Sequence, residues 1–384
     1  LPRGARAKSL ARRAKIATLR GTMARHFNFN AGPSALPLSV LERAQRELLD
    51  FEGSGMSILE HSHRGKVYEK VHDEAIALLT EILAIPASHQ VLFMQGGASA
   101  QFALVPMNLR TDSHGGDYVI TDTWGKKAYS EAKILGKPHV AWDENKDGRW
   151  SRVPKQADLK LTPDAPYVHY TTNNTIMGTQ FFDVPNTGSV PLVADMSSDI
   201  LWRPIDVSKF GLIYAGAQKN MGPAGITTVI IRKDLIEKGR TDIATIFRYA
   251  EIAKNNSLQN TITTFTVYMI RNVLLWLKEQ GGLPQIEQRN RKKAAVLYAA
   301  IDGSNGYFTC PAEKDSRSVM NVVFRLPSEE LDTKFVSEAN KAGLVGLKGH
   351  RLVGGIRASI YNAVTLEGVE KLVEFMQRFQ KSNG

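Results

Sequence analysis

Cysteine is almost absent from this chain. The only one among 384 residues, Cys310, excludes an internal disulfide and suits a reducing compartment, so a cytoplasmic location is expected. Its setting, Tyr307-Phe308-Thr309-Cys310-Pro311, reads as a half-buried strand. Also missing is any run of about 18 apolar residues, the length that crosses a bilayer, and no membrane partner is expected. Residues 1–22 contain no acid but seven bases: Arg3, Arg6, Lys8, Arg12, Arg13, Lys15 and Arg20. Without them the net charge of +11 falls to +4, so the basic excess is a tail and not a nucleic-acid-binding face, and no nucleic acid is expected. Such an Arg-rich leader fits either an organelle transit peptide or sequence left by cloning. The start at Leu1, the scarcity of serine and the presence of Met23 favour the second, with no function in residues 1–22. There is no internal repeat or low-complexity linker, and no metal site is expected.

What is present is an ordinary globular composition, 43% hydrophobic, in a chain longer than one core usually supports. Apolar residues at helical spacing predict helices over 37–51, 67–83, 101–109 and 126–135. Short apolar runs predict strands at 90–94, 118–120, 140–142, 167–170, 192–194, 212–215 and 227–231. The alternation argues an α/β fold around a mostly parallel sheet. Helices over 273–278 and 286–301 then lead to a smaller α+β region, with elements at 319–324, 332–342 and 366–379.

Three local patterns carry chemistry. In Tyr214-Ala215-Gly216-Ala217-Gln218-Lys219-Asn220-Met221-Gly222-Pro223 an apolar strand ends in small residues, one lysine and a Gly-Pro break. A lysine that loses water there has a depressed pKa and can form a Schiff base with an aldehyde, although a surface lysine in a turn is the plainer reading. Val190-Pro191-Leu192-Val193-Ala194-Asp195 is a strand that delivers a carboxylate at its end, where open α/β sheets bind ligands. Asp195 reads equally as a turn or cap residue beside Ser197 and Ser198. Lysine and aspartate together suit pyridoxal phosphate, whose ring nitrogen needs a carboxylate partner. Finally, Gly96-Gly97 sits between a strand and a helix, an arrangement that binds anions.

These residues, with Asn28-Phe29-Asn30-Ala31-Gly32-Pro33, Ser62-His63-Arg64, Gln95-Gly96-Gly97-Ala98-Ser99, Gly349-His350-Arg351 and Gly354-Gly355-Ile356-Arg357-Ala358-Ser359-Ile360-Tyr361-Asn362, resemble the phosphoserine aminotransferase family. These are class V aminotransferases of fold type I, and the likeness runs from Phe27 nearly to the end. The resemblance implies a large cofactor-binding domain over 38–284, a small C-terminal domain over 285–384, and an N-terminal segment, 23–37, associated with the small domain. It implies pyridoxal 5'-phosphate as cofactor, Lys219 as Schiff-base lysine and proton-transfer base, and Asp195 as partner of the ring nitrogen. Trp124 would stack on the ring and Thr175 would face its phenolic oxygen, though a core tryptophan and a turn threonine are the plain alternatives. Gly97, Ala98, Ser99 and Gln218 would hold the cofactor phosphate, completed by Asn260 and Thr261 from the neighbouring subunit of a homodimer.

Substrate recognition would fall to Arg357 for the α-carboxylate and to Arg64, His350 and Arg351, with His63 nearby, for the distal anion. The implied reaction exchanges an amino group between glutamate and 3-phosphohydroxypyruvate, giving phosphoserine and 2-oxoglutarate in serine biosynthesis. Whether the chain also forms 4-phosphohydroxythreonine on the way to pyridoxal phosphate is left open. Two departures stand out. Ser99 occupies a position where some relatives have arginine, and Ile262-Thr263 follows Asn260-Thr261 where many have two prolines. Other class V activities, cysteine desulfuration or alanine:glyoxylate transamination, are the competing enzyme readings. The first needs a cysteine on a mobile loop, and Cys310 does not lie in one.

Overall fold

The computed structural model describes residues 25–384; the basic leader and Met23 lie outside the described residues. Seven strands form the main sheet in the order His89–Met94, Thr227–Arg232, Leu212–Gly216, Leu192–Asp195, Val168–Thr171, Asp117–Val119, His139–Trp142. The alternation of strands and helices anticipated this α/β sheet, and all seven strands lie within about a residue of their expected places. Thr227–Arg232 runs antiparallel to both neighbours, whereas the others are parallel. Six strands therefore point their C-terminal ends at one edge, where loops are free to carry chemistry.

The strand interiors are buried nearly throughout, which explains why they read as continuous apolar runs and not as alternating ones. Helix Gly97–Leu109 packs on Leu212–Gly216, its Phe102 ring 6.4 Å from that of Tyr214. It begins four residues before the expected start, because the glycine turn supplies its first turn. Helix Leu38–Glu47 is shorter than the expected 37–51, and buries only Val40 and Ala44. Helix Thr264–Glu279 is much longer than the expected 273–278. It buries Thr266, Arg271 and Asn272 along with its apolar residues, so no apolar stripe marks its first half.

A second core lies beyond the sheet. Strands Asn321–Phe324 and Ile356–Ser359 pair antiparallel, with helices Glu329–Lys341 and Leu366–Asn383 around them. Phe308, Phe324, Phe335, Phe375 and Phe379 meet there edge to face or tilted. The N-terminal strand Phe27–Asn28 pairs parallel with Leu344–Val345, and Phe29 is buried in the same core. The expected boundary between 284 and 285 falls inside one continuous helix, Gly282–Asp302. That helix buries Leu283 and Ile286 in the first core and Ala294, Leu297 and Ile301 in the second.

Lys293, on the same helix, fixes the second core to it. Its Nζ is buried and donates to the carbonyls of Ile360 (2.9 Å), Tyr361 (2.7 Å) and Val364 (2.9 Å), using all three of its protons. Lys293→Met keeps the aliphatic stem but strands the carbonyls of Ile360 and Val364, each costing ~1–3 kcal/mol, whereas that of Tyr361 keeps the Val364 N–H at 3.0 Å. The variant is expected to lose at least ~2 kcal/mol of stability in chemical denaturation, against less than ~0.5 kcal/mol for the exposed Lys292→Met.

Candidate active site

Along the C-terminal edge of the sheet each loop delivers one functional group. Asp195 is the last residue of its strand, 5% exposed, and its Oδ1 accepts from the Ser197 N–H at 2.9 Å. On the neighbouring strand the chain passes Gly216 and turns tightly. The Ala217 N–H donates to Ile226 O (2.9 Å) and the Gly222 N–H to Ala217 O (2.8 Å), so Lys219 is held at the apex. Ser34 fastens the turn from outside, its Oγ donating to Lys219 O at 2.6 Å and its N–H to Gln218 O at 3.0 Å. Burial depresses the Lys219 ammonium pKa below the ordinary lysine range and nearby Arg357 adds to this, while Asp195, Asp122 and Asp199 oppose it.

Asp122 caps helix Thr123–Leu135, its Oδ1 accepting from the Gly125 N–H at 2.6 Å. Its Oδ2 is buried without a partner, and burial pushes its pKa up to about 7, with Asp195 adding to the rise. The Asp195 pKa is also raised by burial, against the pull of Ser197, Lys219 and Tyr214. Asp199 rises to about 6 for the same reason, although Thr172 Oγ1 donates to its Oδ1 and Gln180 Nε2 to its Oδ2. One amine therefore shares a nearly dry space with three carboxyls.

Thr175 joins two more of the expected residues. The Trp124 indole N–H donates to its Oγ1 at 3.2 Å, and Arg357 Nη1 donates to its carbonyl at 2.9 Å. Arg357 Nε is buried with no partner, and burial lowers the guanidinium pKa. Trp124 packs beside Ile176, Met177 and Val353, which closes the loop holding His350 and Arg351 over this side. The pKa of His350 is held below its ordinary value by burial first, then by Arg357, Arg351 and Lys127. Arg351 itself is exposed.

The Gly96-Gly97 turn opens the helix N-terminus as expected for an anion site. Gly96 has φ +96°, and a Cβ there would meet the Ala100 Cβ at 2.6 Å. Gly97 has φ +67° and open space where a Cβ would point, with Ala98 and Ser99 in the first helical turn. The Gln218 side chain curls back so closely that a Cβ on Gly216 would be 2.7 Å from its Oε1.

Of the remaining expected residues only Asn260 lies beside another expected group within one chain. Asn260 Nδ2 donates to Gln95 Oε1 at 2.7 Å, which places it one residue from its own chain's glycine turn, and Thr261 is exposed. Arg64 is exposed, and His63 Nε2 is buried without a partner. Among the described residues no hydrogen bond or ion pair joins His63 or Arg64 to His350, Arg351 or Arg357.

The family described as aminotransferase class-V matches residues 26–372. A phosphoserine aminotransferase of Lysinibacillus sphaericus is 55% identical over 359 residues, 94% of this chain and 99% of the relative. The chain belongs to the phosphoserine aminotransferase family. A solved phosphoserine aminotransferase from Bacillus circulans subsp. alkalophilus superposes with a TM-score of 0.91 at 53% identity, covering 94% of this chain and 99% of that one. The PLP-bound phosphoserine aminotransferase of Trichomonas vaginalis gives 0.88 at 39%, covering 92% and 100%. Membership of the phosphoserine aminotransferase family decides against the desulfurase and alanine:glyoxylate readings, and the fold is the expected fold type I.

Sequence reasoning missed Asp122, Asp199 and Ser34. Asp122 had a signal, an aspartate immediately before a helix, but its burial beside Lys219 is visible only in three dimensions. Because its folded pKa of about 7 lies above the unfolded value near 3.8, the folded state binds the extra proton between those pH values. The stability this group contributes is present below about pH 4 and is lost as pH rises towards 7. In ligand-free protein the drop in unfolding free energy from pH 5 to pH 8 should be smaller for Asp122→Asn than for the unsubstituted chain. An equal drop in both would mean that Asp122 is ionised throughout.

Proposed function

We propose that this chain moves an amino group between glutamate and 3-phosphohydroxypyruvate, yielding 2-oxoglutarate and phosphoserine on the route to serine, with pyridoxal 5'-phosphate as cofactor. The observation that carries the proposal is Lys219, buried among Asp195, Asp122 and Asp199 with Arg357 beside them. The residues fit the cofactor: a deprotonatable amine, a dry carboxylate, an aromatic face, and a helix N-terminus left open by glycine. When bound, pyridoxal phosphate supplies a carbonyl carbon for the amino group and a ring that takes up the electrons of the bond being broken.

The chain's own residues supply the rest. Lys219, its pKa lowered by burial, has the free amine needed to take a proton from the substrate Cα and to deliver it to the carbon that the cofactor would supply. Asp195 would hold a proton on the ring nitrogen, a role that needs its carboxylate charged despite burial. Trp124, fixed by its bond to Thr175 Oγ1, would offer its ring face to the cofactor, and Thr175 would lie toward the phenolic oxygen. Gly97, Ala98, Ser99 and Gln218 would receive the cofactor phosphate. Arg357 already donates through Nη1 to Thr175 O, and its unpaired Nε is free for the substrate α-carboxylate. His350 and Arg351, with Arg64 and His63, read the distal carboxylate or phosphate.

The working unit in this reading is a homodimer in the cytoplasm. Exposed apolar side chains gather in 38–59 and 246–247: Leu38, Leu48, Leu49, Met56, Leu59, Ile246 and Phe247, with Leu49 85% exposed. A partner over these residues would bring Asn260 and Thr261 to the other chain's phosphate site. Among the described residues no helix is long and apolar enough to cross a membrane.

Borohydride treatment of the cofactor-loaded enzyme should fix the label at Lys219, and Lys219→Ala should stay folded yet fail to turn over. Label on another lysine peptide would overturn the assignment. Truncating one partner of a desolvated charge pair costs ~2–5 kcal/mol, about 30- to 5,000-fold in binding. Arg357→Ala should therefore lower kcat/KM for phosphoserine, glutamate and alanine alike. Arg351→Ala, being exposed, should cost about 30-fold for phosphoserine and glutamate but far less for alanine, which has no distal anion. Equal losses on all three substrates in the Arg351 variant would remove it from distal-anion recognition.

A further inference from the structure

Behind Asp195 lies a buried polar group that the chemistry above does not use. In the sheet register Asp195 stands directly opposite Tyr214, and His169 lies opposite Val193, two residues before Asp195 on the same face. Tyr214 and His169 are 0% and 1% exposed. The Tyr214 hydroxyl is 2.8 Å from His169 Nε2, and the imidazole lies between the rings of Tyr118 (5.0 Å, 28°) and Tyr214 (5.9 Å, 30°). Tyr118 offers His169 no hydroxyl, because its own is bonded to that of Tyr167 at 2.7 Å. His169 Nδ1 has no partner at all.

The protons in this group can be counted. Burial drives the His169 pKa down to about 3, so the ring is neutral and carries one N–H. If that proton sat on Nδ1, a buried donor would be left without an acceptor, a rarer and costlier defect than a bare lone pair. The proton therefore belongs on Nε2, which makes the Tyr214 oxygen an acceptor and frees its single hydroxyl proton for another group. The acceptor that the sheet places nearest is Asp195, directly opposite Tyr214 in the register and on the same face, and the Tyr214 hydroxyl favours its ionised form. The other charged groups facing Asp195 are Lys219, which also favours its ionised form, and the carboxyls of Asp122 and Asp199, which oppose it.

We infer that His169 and Tyr214 form a one-way hydrogen-bond chain, His169 Nε2–H to Tyr214 Oη–H to the Asp195 carboxylate, that keeps Asp195 ionised and aimed at the active site. Both are positioning residues, since neither reaches the reacting atoms. The inference rests on the reading of Asp195 as the ring-nitrogen partner, and it adds a specific pair on the same face of the sheet to Ser197 and Lys219 as groups that favour its ionised form.

Two measurements test it. In ligand-free protein labelled with 15N-histidine, the His169 signals, identified by their loss in His169→Asn, should report a proton on Nε2 at pH 7. A proton on Nδ1 would overturn the chain's direction. In cofactor-loaded protein, Tyr214→Phe keeps the packed ring and removes only the bridge. The midpoint pH of the cofactor's absorption change should then move upward by about one to two units, the worth of a hydrogen bond to a charged group. His169→Asn should move it the same way by less. An unmoved midpoint in Tyr214→Phe would overturn the inference, and should His169→Asn not fold, Tyr214→Phe decides alone. Asp195→Ala separates the two readings. If it too leaves the absorption unchanged, the assignment of Asp195 fails, whereas the tautomer measured without cofactor stands or falls by itself.

Discussion

Burying an amine and several carboxyls in one dry space is the constraint around which the molecule is arranged. Loss of water dominates at every member: Lys219 is shifted down, and Asp122, Asp195 and Asp199 are shifted up. None could remain charged alone at such cost, so each charge requires the others and a set of fixed donors. The parallel sheet provides both. Ends of neighbouring strands lie side by side, which puts Asp195 next to the turn of Lys219 and Thr171 next to Asp195. The N–H groups of Ser197 and Gly125 then solvate single carboxylate oxygens in place of water. An antiparallel arrangement would send alternate strand ends to the far side and leave the charges unpaired.

The second core belongs to the same electrostatic unit because buried amides tie it to the sheet's loops. Asn220, next to Lys219, donates to Ile200 O at 3.0 Å and accepts from the Asn362 N–H at 3.0 Å. Asn362 Nδ2 donates to Leu201 O at 2.9 Å, and its oxygen accepts from Asn290 at 2.8 Å. Across the site, Asn173 Nδ2 donates to Ser198 Oγ at 2.8 Å and to Asn321 Oδ1 at 2.7 Å. Such bonds are directional, so they fix the position of the strand carrying Arg357 as apolar packing alone would not. Arg357 Nη1 reaches Thr175 O only with that register in place. Alignment of a carboxylate-binding arginine with a lysine 138 positions away in sequence is in this sense a property of asparagine side chains.

How far the sequence revealed all this depended on how local each feature was. The strands around the site were legible because a sheet covered on both faces writes itself as uninterrupted apolar runs, and the glycine turn was legible because positive φ leaves few residue choices. Helix Thr264–Glu279 was half hidden, since a helix buried on most sides has no polar face to set its period. Lys219 and Asp195 stood out as lone charges at the ends of apolar strands. Asp122 did not, because a capping aspartate looks the same whether its second oxygen faces water or lies buried beside an amine. His169 and Tyr214 were read only as strand residues. Their meaning comes from the register of three strands separated by some twenty residues each, and no local pattern encodes which side chains that register will stack together. The division at 284/285 falls within a helix that passes from one core to the other, a change that no local pattern marks. A change of core partner along one helix leaves its period intact, so Leu283 and Leu297 look alike in sequence although they pack in different cores.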